Sequence, residues 1–315
     1  KATSFLGGIA ENYDSNLILG EDRISVVEAD EFDRSFLTLY PTIGIVTSVD
    51  ADHLDIYGSA DELLGSFVDF TNQITDNGTL IYKYGLPLGR SKAKTFTYSI
   101  NQSSDYRTSE VSIRKGKYHF TLISPSRTIE NITFGMPGLH NVENAIAAFA
   151  AVDQLGLTDV EIRNGLESYK GVKRRFDVHI STDNLVYIDD YAHHPTEISA
   201  CIGSVRELYP GRRVKGIFQP HLFSRTQDHM SEFAATLSTL DEVTLLDIYP
   251  AREEPIDGIT SDALLQLIST QAKSLQTKQE VIEKLEAKNE DILLTMGAGD
   301  IDQLVSPIKE KLLIC

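Results

Sequence analysis

Tryptophan is missing from this chain, and only two cysteines, Cys201 and Cys315, occur in its 315 residues. Two thiols are too few for a disulfide framework or a zinc cage, and they fit a reducing compartment, so a cytoplasmic setting is expected. Cations are scarce too: 29 Lys and Arg stand against 46 Asp and Glu, a net charge of −17. Such a chain lacks the basic surface that neutralises a nucleic-acid backbone, so no nucleic-acid partner is expected. A local Arg cluster with a divalent metal could still receive an anionic nucleotide. No apolar run reaches the roughly 20 residues of a membrane helix and no signal peptide is visible, so no membrane insertion is expected. The G-x-x-x-x-G-K-[ST] loop is also absent; Gly116-Lys117 continues with Tyr118 inside a hairpin pattern. If ATP is handled, the loop cradling its phosphates is expected upstream of Lys1, where the chain starts without Met.

What is present is 41% hydrophobic and 24% charged, the composition of a soluble globular protein with core enough for two domains. The organising stretch is 186–197, Val-Tyr-Ile-Asp-Asp-Tyr-Ala-His-His-Pro-Thr-Glu. Val186 to Ile188 reads as a buried strand, and Pro195-Thr196-Glu197 opens a helix. Between them stand two carboxylates, a phenol and two imidazoles, more than helix capping requires. In a parallel α/β sheet such a strand end faces a ligand crevice.

Upstream, 24–31 (Ile-Ser-Val-Val-Glu-Ala-Asp-Glu) reads as a buried strand ending in acids, and 42–49 as a second, followed by Asp50-Ala51-Asp52-His53-Leu54-Asp55. As neighbours in one parallel sheet they would bring Glu28 and His53 to one edge, where few hard ligands suit Mg²⁺ shared with phosphates. A solvated loop acid and a structural histidine are the plainer alternatives. Residues 61–73 carry apolar side chains at helical spacing. From Thr79 to Phe134 short alternating runs predict a β-rich appendage, with Lys115-Gly116 as a hairpin turn. The Ala-rich run after Asn144 predicts a helix ended by Gly156, with His140 and Asn141 at its start. Asn141 could simply cap that helix; Asn144, on the same face, is not needed for capping, and the pair could meet a purine or a phosphate.

Lys173-Arg174-Arg175 follows Gly171 in an otherwise acidic chain, either a phosphate grip or a solvated basic linker. The domain boundary is placed there, giving 1–173 and 174–315. Beyond it, strands and helices alternate, which predicts a second, doubly wound parallel sheet. Its strand-end loops carry Gln219-Pro220-His221-Leu222 with Arg225, then Tyr249 to Glu253, then Gly297-Ala298-Gly299. The last lacks the third Gly of a dinucleotide fingerprint and reads as a tight turn.

These segments resemble the Mur ligase family over essentially all 315 residues. The superfamily marks are 28–31 (Glu-Ala-Asp-Glu), 52–55 (Asp-His-Leu-Asp), 138–144 (Gly-Leu-His-Asn-Val-Glu-Asn) and 174–177 (Arg-Arg-Phe-Asp). The stretch 189–197 and Phe218-Gln219-Pro220-His221 with Arg225-Thr226 are similar to the alanine-adding branch. The resemblance implies an α/β fold in which an ATP-binding-type central domain with its β-rich appendage precedes a Rossmann-like C-terminal domain. It also implies ATP-dependent joining of L-alanine to UDP-N-acetylmuramate, through an acyl phosphate, for peptidoglycan. By the same resemblance Glu28 and His53 would hold Mg²⁺. His140, Asn141 and Asn144 would surround the nucleotide, Arg175 would meet its phosphates and Asp190 its ribose. Tyr191, His193, His221 and Arg225 would line the place where amine and acyl group react, with Arg225 on the carboxylate of alanine.

Some features depart from the family. Its phosphate loop and its UDP-gripping domain precede the segment that Lys1 begins, so these 315 residues alone are expected not to ligate. Leu222 stands where many members carry Arg. The helix at 61–73 has no Lys, in keeping with the alanine-adding branch, since later-acting relatives use a carbamylated Lys there. A murein tripeptide recycling ligase and a non-catalytic nucleotide-binding module are the other readings; the His-His-Pro-Thr-Glu segment argues against folylpolyglutamate synthase.

Overall fold

The computed structural model describes residues 2–21, 23–50, 54–89, 91–114, 116–285 and 291–314. The chain divides into two compact units, Lys1–Lys170 and Gly171–Cys315.

The first unit opens with a small sheet. Strands β1 (Thr3–Ala10) and β2 (Ser15–Ile18) form an antiparallel hairpin, and β3 (Ser25–Val27) lies parallel to β1. The strand expected over 24–31 is therefore only three residues long, and all three are exposed. It stops because acids just beyond it take backbone amides: Asp30 accepts from Phe32 and Asp33 from Ser35, bending the chain into a 3₁₀ turn at Ser35–Thr38. The next strand, β4 (Ile43–Val46), belongs to a different sheet. The expected pairing of these two strands as neighbours is not what forms, because the backbone of Ser25–Val27 is already matched to β1.

After the short helix α1 (Leu54–Tyr57) comes α2 (Ala60–Asn72), capped by Ser59, whose hydroxyl accepts from the Glu62 amide. Then follow β5 (Thr79–Lys83), β6 (Lys94–Ser99), β7 (Tyr106–Arg114), β8 (Lys117–Ile123) and β9 (Thr128–Phe134). The β-rich stretch expected as an appendage continues the sheet itself, in the order β4-β5-β6-β7-β8-β9. It is parallel from β4 to β7 and antiparallel from β7 to β9. Helix α3 (Leu139–Gln154) buries Ile146, Phe149 and Ala150 against Tyr106, Phe120 and Ile132 of the sheet. Its alanines let it lie close. On the α2 side, Phe70 and Ile74 pack with Phe36, Val46 and Leu80. Helix α4 (Asp159–Ser168) starts in a reciprocal Thr158–Glu161 capping box.

The second unit is a six-stranded sheet in the order β10-β11-β15-β12-β13-β14. Its elements are β10 (Asp177–Ser181), β11 (Leu185–Asp190), α5 (Pro195–Leu208), β12 (Arg213–Phe218), α6 (Phe223–Asp228), α7 (Met230–Leu237), β13 (Glu242–Leu245), α8 (Ser261–Leu267), β14 (Lys273–Leu275), α9 (Lys278–Lys284), β15 (Asp291–Met296) and α10 (Val305–Ile314). Only β10, an edge strand, is antiparallel; the others run parallel. Helices α5, α7 and α8 bury Ile202, Phe233 and Leu264 on one face, while α9 and α10 bury Val281 and Ile308 on the other. The central strand β15 is buried at every residue, Asp291 and Thr295 included. The helix expected over 224–238 is broken at His229, which leaves helical geometry (φ −118°, ψ 21°) with its imidazole bound to Glu232. Among the described residues, no helix is long and apolar enough to cross a membrane.

Candidate active site

In the second unit, the carboxyl ends of β11, β15, β12 and β13 lie side by side, and the sequence-predicted residues cluster there. Strand alternation separates the two adjacent acids on β11. Asp189 is fully buried and receives Arg174 Nε at 3.1 Å and the Thr295 hydroxyl at 2.6 Å. Arg174 also donates to the Gly297 carbonyl at 2.7 Å and lies over the Tyr191 ring. Asp190 accepts from the Phe176 and Ala192 amides, at 2.8 and 2.7 Å, one on each oxygen. Burial pushes its carboxyl up to about 6 against those two hydrogen bonds. Its oxygens thus already hold the loop, which the ribose role expected of it did not anticipate. Arg175, the expected phosphate contact, is exposed.

A row of rings runs from here across the strand ends. Tyr191 meets His193 edge-on at 5.3 Å, His193 meets His221 at 6.0 Å, and His221 stacks on Tyr249 at 5.7 Å with 15° between planes. His193 Nδ1 lies 3.0 Å from the Tyr191 carbonyl. A carbonyl only accepts, so Nδ1 carries the proton and the neutral ring has its lone pair on Nε2. Glu197 anchors the turn by accepting the amides of His193 and His194. His221 is driven to the neutral form: burial first, then His193 and Arg225, lower it to about 4, against the opposing charge of Glu253. Its Nδ1 is buried with no hydrogen-bond partner. Arg225 is half-buried in the first turn of α6 and electrostatically coupled to His221. The unit therefore assembles Tyr191, His193, His221 and Arg225 in one place.

The turn beneath them requires glycine. At Gly297 (φ 142°) an added Cβ would lie 2.7 Å from the Gln219 carbonyl oxygen. At Gly299 it would lie 2.4 Å from Gln219 Oε1 and 2.7 Å from Tyr249 Cβ. Gln219 in turn donates to Asp300 and accepts from the Ile301 amide. These residues form a tight turn that packs the loops together, as read from the sequence.

In the first unit, α3, α4 and β9 enclose a cleft of about 430 Å³ lined by Asn141, Asn144, Ala148, Gly165 and Tyr169, among others. Tyr169 stacks on Phe134. Asn141 donates backward to the Pro137 carbonyl at 2.7 Å, and the helix is capped by Gly138 instead (φ 88°). Asn144 is exposed on the cleft's rim and His140 is exposed at the helix start, outside the cleft lining.

Glu28 is exposed, and its Oε2 accepts the Gly7 amide at 2.7 Å. A Cβ on Gly7 would fall 2.8 Å from Glu28 Oε1, so with any other residue there this carboxylate would have to shift. His53, the other expected metal ligand, lies outside the described residues. Among the described residues, no group of three or more His, Cys, Asp or Glu is arranged to hold a metal.

Sequence reading missed Tyr249 and Glu253 as parts of this site, though their loop stood at a strand end. It also gave Arg174 no part in the site, although Arg174 holds Asp189 and the Gly297 carbonyl.

The Mur ligase middle-domain model matches residues 21–152, and the Mur ligase glutamate-ligase-domain model matches residues 174–299. The chain is 50% identical over 313 residues to a UDP-N-acetylmuramate–L-alanine ligase of Christiangramia forsetii, covering 99% of this chain and 68% of that protein. It is 49% identical over 315 residues to a protein of that name from Porphyromonas gingivalis, covering 98% and 69%. Among solved structures, UDP-N-acetylmuramate–alanine ligase of Thermotoga maritima shares the fold with a TM-score of 0.81 at 24% identity, over 99% of this chain and 69% of that one. A murein peptide ligase from Psychrobacter arcticus shares it at 0.68 and 21%, over 99% and 71%. With both domain models matched and half the residues shared with these relatives, the chain belongs to the Mur ligase family.

Proposed function

We propose that this chain works in an ATP-dependent ligase that joins L-alanine to UDP-N-acetylmuramate in peptidoglycan synthesis, in the cytoplasm. The observation that carries the reading is the group of Tyr191, His193, His221 and Arg225 at the carboxyl end of the second sheet, in a chain half identical to ligases of that name.

A carboxylate is a poor electrophile at neutral pH, so ATP first converts it to an acyl phosphate; the amine of alanine then attacks and phosphate leaves. Attack needs the neutral amine. His193, with its lone pair on Nε2, is suited to take the ammonium proton. Arg225 offers the fork that fits the amino acid's carboxylate. His221, held neutral, adds no repelling charge to an incoming ammonium.

For the nucleotide, Asn141 and Asn144 line a cleft of purine size, with His140 at the same helix start. Arg175 is the proposed phosphate contact, and Asp190 keeps only its spare lone pairs for a ribose. Glu28 suits Mg²⁺ in kind, an accessible carboxylate oxygen steadied by a backbone amide, with His53 the proposed second ligand. The ion would supply charge neutralisation at the phosphates.

The test is phosphate release by the native polypeptide with ATP, Mg²⁺ and UDP-N-acetylmuramate, comparing L-alanine with a murein tripeptide. Turnover that depends on alanine is expected. Turnover with the tripeptide alone would replace this substrate reading, and turnover with neither would remove it.

A further inference from the structure

Helix α6, which carries Arg225, has no cap of its own. Its N-cap position is Leu222, in the left-handed region (φ 68°) and without a side-chain oxygen. Six residues are too few for such a helix to hold its shape unaided. The missing acceptor comes from Glu253, 29 positions after Ser224 in the chain. Glu253 Oε2 accepts the Ser224 amide at 3.0 Å, and Oε1 accepts the Ser224 hydroxyl at 2.5 Å. The segment that delivers Glu253 also grips His221. Tyr249 donates its amide to the Pro220 carbonyl at 2.8 Å and accepts the Leu222 amide at 3.0 Å, so it brackets His221 from both sides while its ring stacks on the imidazole. Between Tyr249 and Glu253 the chain reverses through Ala251 in a left-handed conformation (φ 50°), closed by a hydrogen bond from the Glu253 amide to the Pro250 carbonyl. A conformation unfavourable for alanine persists only where its surroundings fix it.

We propose that Glu253 is a positioning residue for the amino-acid substrate: by clamping Ser224 it fixes Arg225 and His221 relative to each other. The proposal rests on the reading above that these two side chains receive the incoming amino acid. The local charges agree. Burial raises the Glu253 carboxyl, but the Ser224 and Phe223 hydrogen bonds outweigh this and leave it below its ordinary range. It therefore stays an anion beside His221, where His193 and Arg225 act in the opposite sense. Only an anion accepts from both Ser224 donors without spending a proton of its own.

Three variants of the native polypeptide test this: Glu253→Ala, Glu253→Gln and Ser224→Ala. Misplacing a carboxylate-binding Arg is expected to raise KM for L-alanine about tenfold in Glu253→Ala, with kcat within about twofold. Glu253→Gln keeps one acceptor and is expected to fall between it and wild type. KM for ATP stays unchanged. The His221 ring resonances, read by NMR at neutral pH, are expected to move in both Glu253 variants, because each removes the carboxylate charge facing His221 and weakens the clamp on Ser224. If Glu253→Ala does not fold, Glu253→Gln and Ser224→Ala decide. Unchanged alanine KM together with unmoved His221 resonances overturns the proposal, as does a fall in thermal stability with no change in the KM of any substrate. If wild type does not use alanine, the substrate reading fails, and the His221 resonances alone decide whether Glu253 sets this geometry.

Discussion

Arg174 reaches Asp189 through a 3.1 Å hydrogen bond from Nε while its Nη2 holds the Gly297 carbonyl, so one guanidinium joins the linker before β10 to the ends of β11 and β15. Asp189 is fully buried, and desolvation raises its carboxyl although Thr295 and Arg174 oppose this. Removing the cation leaves a buried carboxylate without its counter-charge. Arg174→Ala is expected to cost about 3–5 kcal/mol, measured by urea unfolding. Arg175→Ala, at an exposed neighbour, is expected to leave stability within about 0.5 kcal/mol. Equal losses in the two variants would contradict this assignment.

That pair shows where sequence reading ends. The basic run after Gly171 and the acids of 189–190 are plain in the chain, and so is their place beside a strand end. Which Arg turns inward is decided by left-handed backbone at Arg174 and Phe176, which no side-chain pattern announces. Period-two alternation says that Asp189 and Asp190 face opposite ways, but not which of them meets Arg174. The four inner strands of the second unit were legible because they are rich in buried apolar residues and separated by helices, whereas the short, polar edge strands β10 and β14 carry no such signal. The first unit was less legible: β3 is fully exposed, and the Asp30 and Asp33 turns that end it compete with a strand through local hydrogen bonds. Tyr249 and Glu253 were placed in a strand-end loop but given no role, because their roles arise from contacts across 28 to 29 positions of sequence.

His221 gives the stability a pH dependence of definite sign. Its folded value, about 4, lies below the ordinary histidine value of 6.5. The unfolded chain therefore binds more protons between those limits, so the stabilisation is present above pH 6.5 and is lost as pH falls towards 4. Solvent screening of a half-buried ring reduces the effect to about 1–2 kcal/mol. The stability difference between wild type and His221→Gln, followed from pH 7 to pH 4, is expected to shift against wild type as the pH falls. A flat difference curve would show that His221 titrates normally. Asp190, raised to about 6, works in the opposite sense, which is why the difference curve and not the wild-type curve is read.

Gly297 and Gly299 are predicted to tolerate no side chain. Gly297→Ala combines a positive φ with a backbone oxygen at 2.7 Å, and neither can be relieved by rotating a neighbour. A loss of at least about 2 kcal/mol is expected. Gly211→Ala is the comparison, since its φ is also positive (80°) but nothing lies within 4 Å of the added carbon. It should cost less, by calorimetry; equal losses would mean that conformation alone, not the contact with Gln219, sets the requirement.

The cleft of the first unit can be filled without disturbing the fold. Gly165 sits within α4, lines the cleft, and has nothing within 4 Å of where its Cβ would be. Gly165→Ala is expected to stabilise the helix by about 0.5–1 kcal/mol. Gly165→Phe places a ring in the cavity and is expected to weaken ATP binding about tenfold or more, since the bound base would have to displace it. Calorimetric titration with Mg·ATP, alongside thermal melts, checks both. Undiminished binding by a stably folded Gly165→Phe would take the nucleotide out of this cleft.

Glu28 tests the metal assignment through two substitutions that act on the same carboxylate by different routes. Glu28→Gln removes the charge yet keeps an acceptor for the Gly7 amide, so the local fold is expected to survive. Gly7→Ala leaves the charge but puts a methyl 2.8 Å from Glu28 Oε1, which pushes the carboxylate aside. If Glu28 is a metal ligand, both variants raise the Mg²⁺ concentration needed for half-maximal turnover of the native polypeptide, by about 10- to 100-fold for the indirect change at Gly7. Melting temperatures near that of wild type would show that the fold is intact. Should Glu28→Gln keep the wild-type Mg²⁺ dependence, the carboxylate serves only to join β1 to the segment after β3, and the ion is held by other groups.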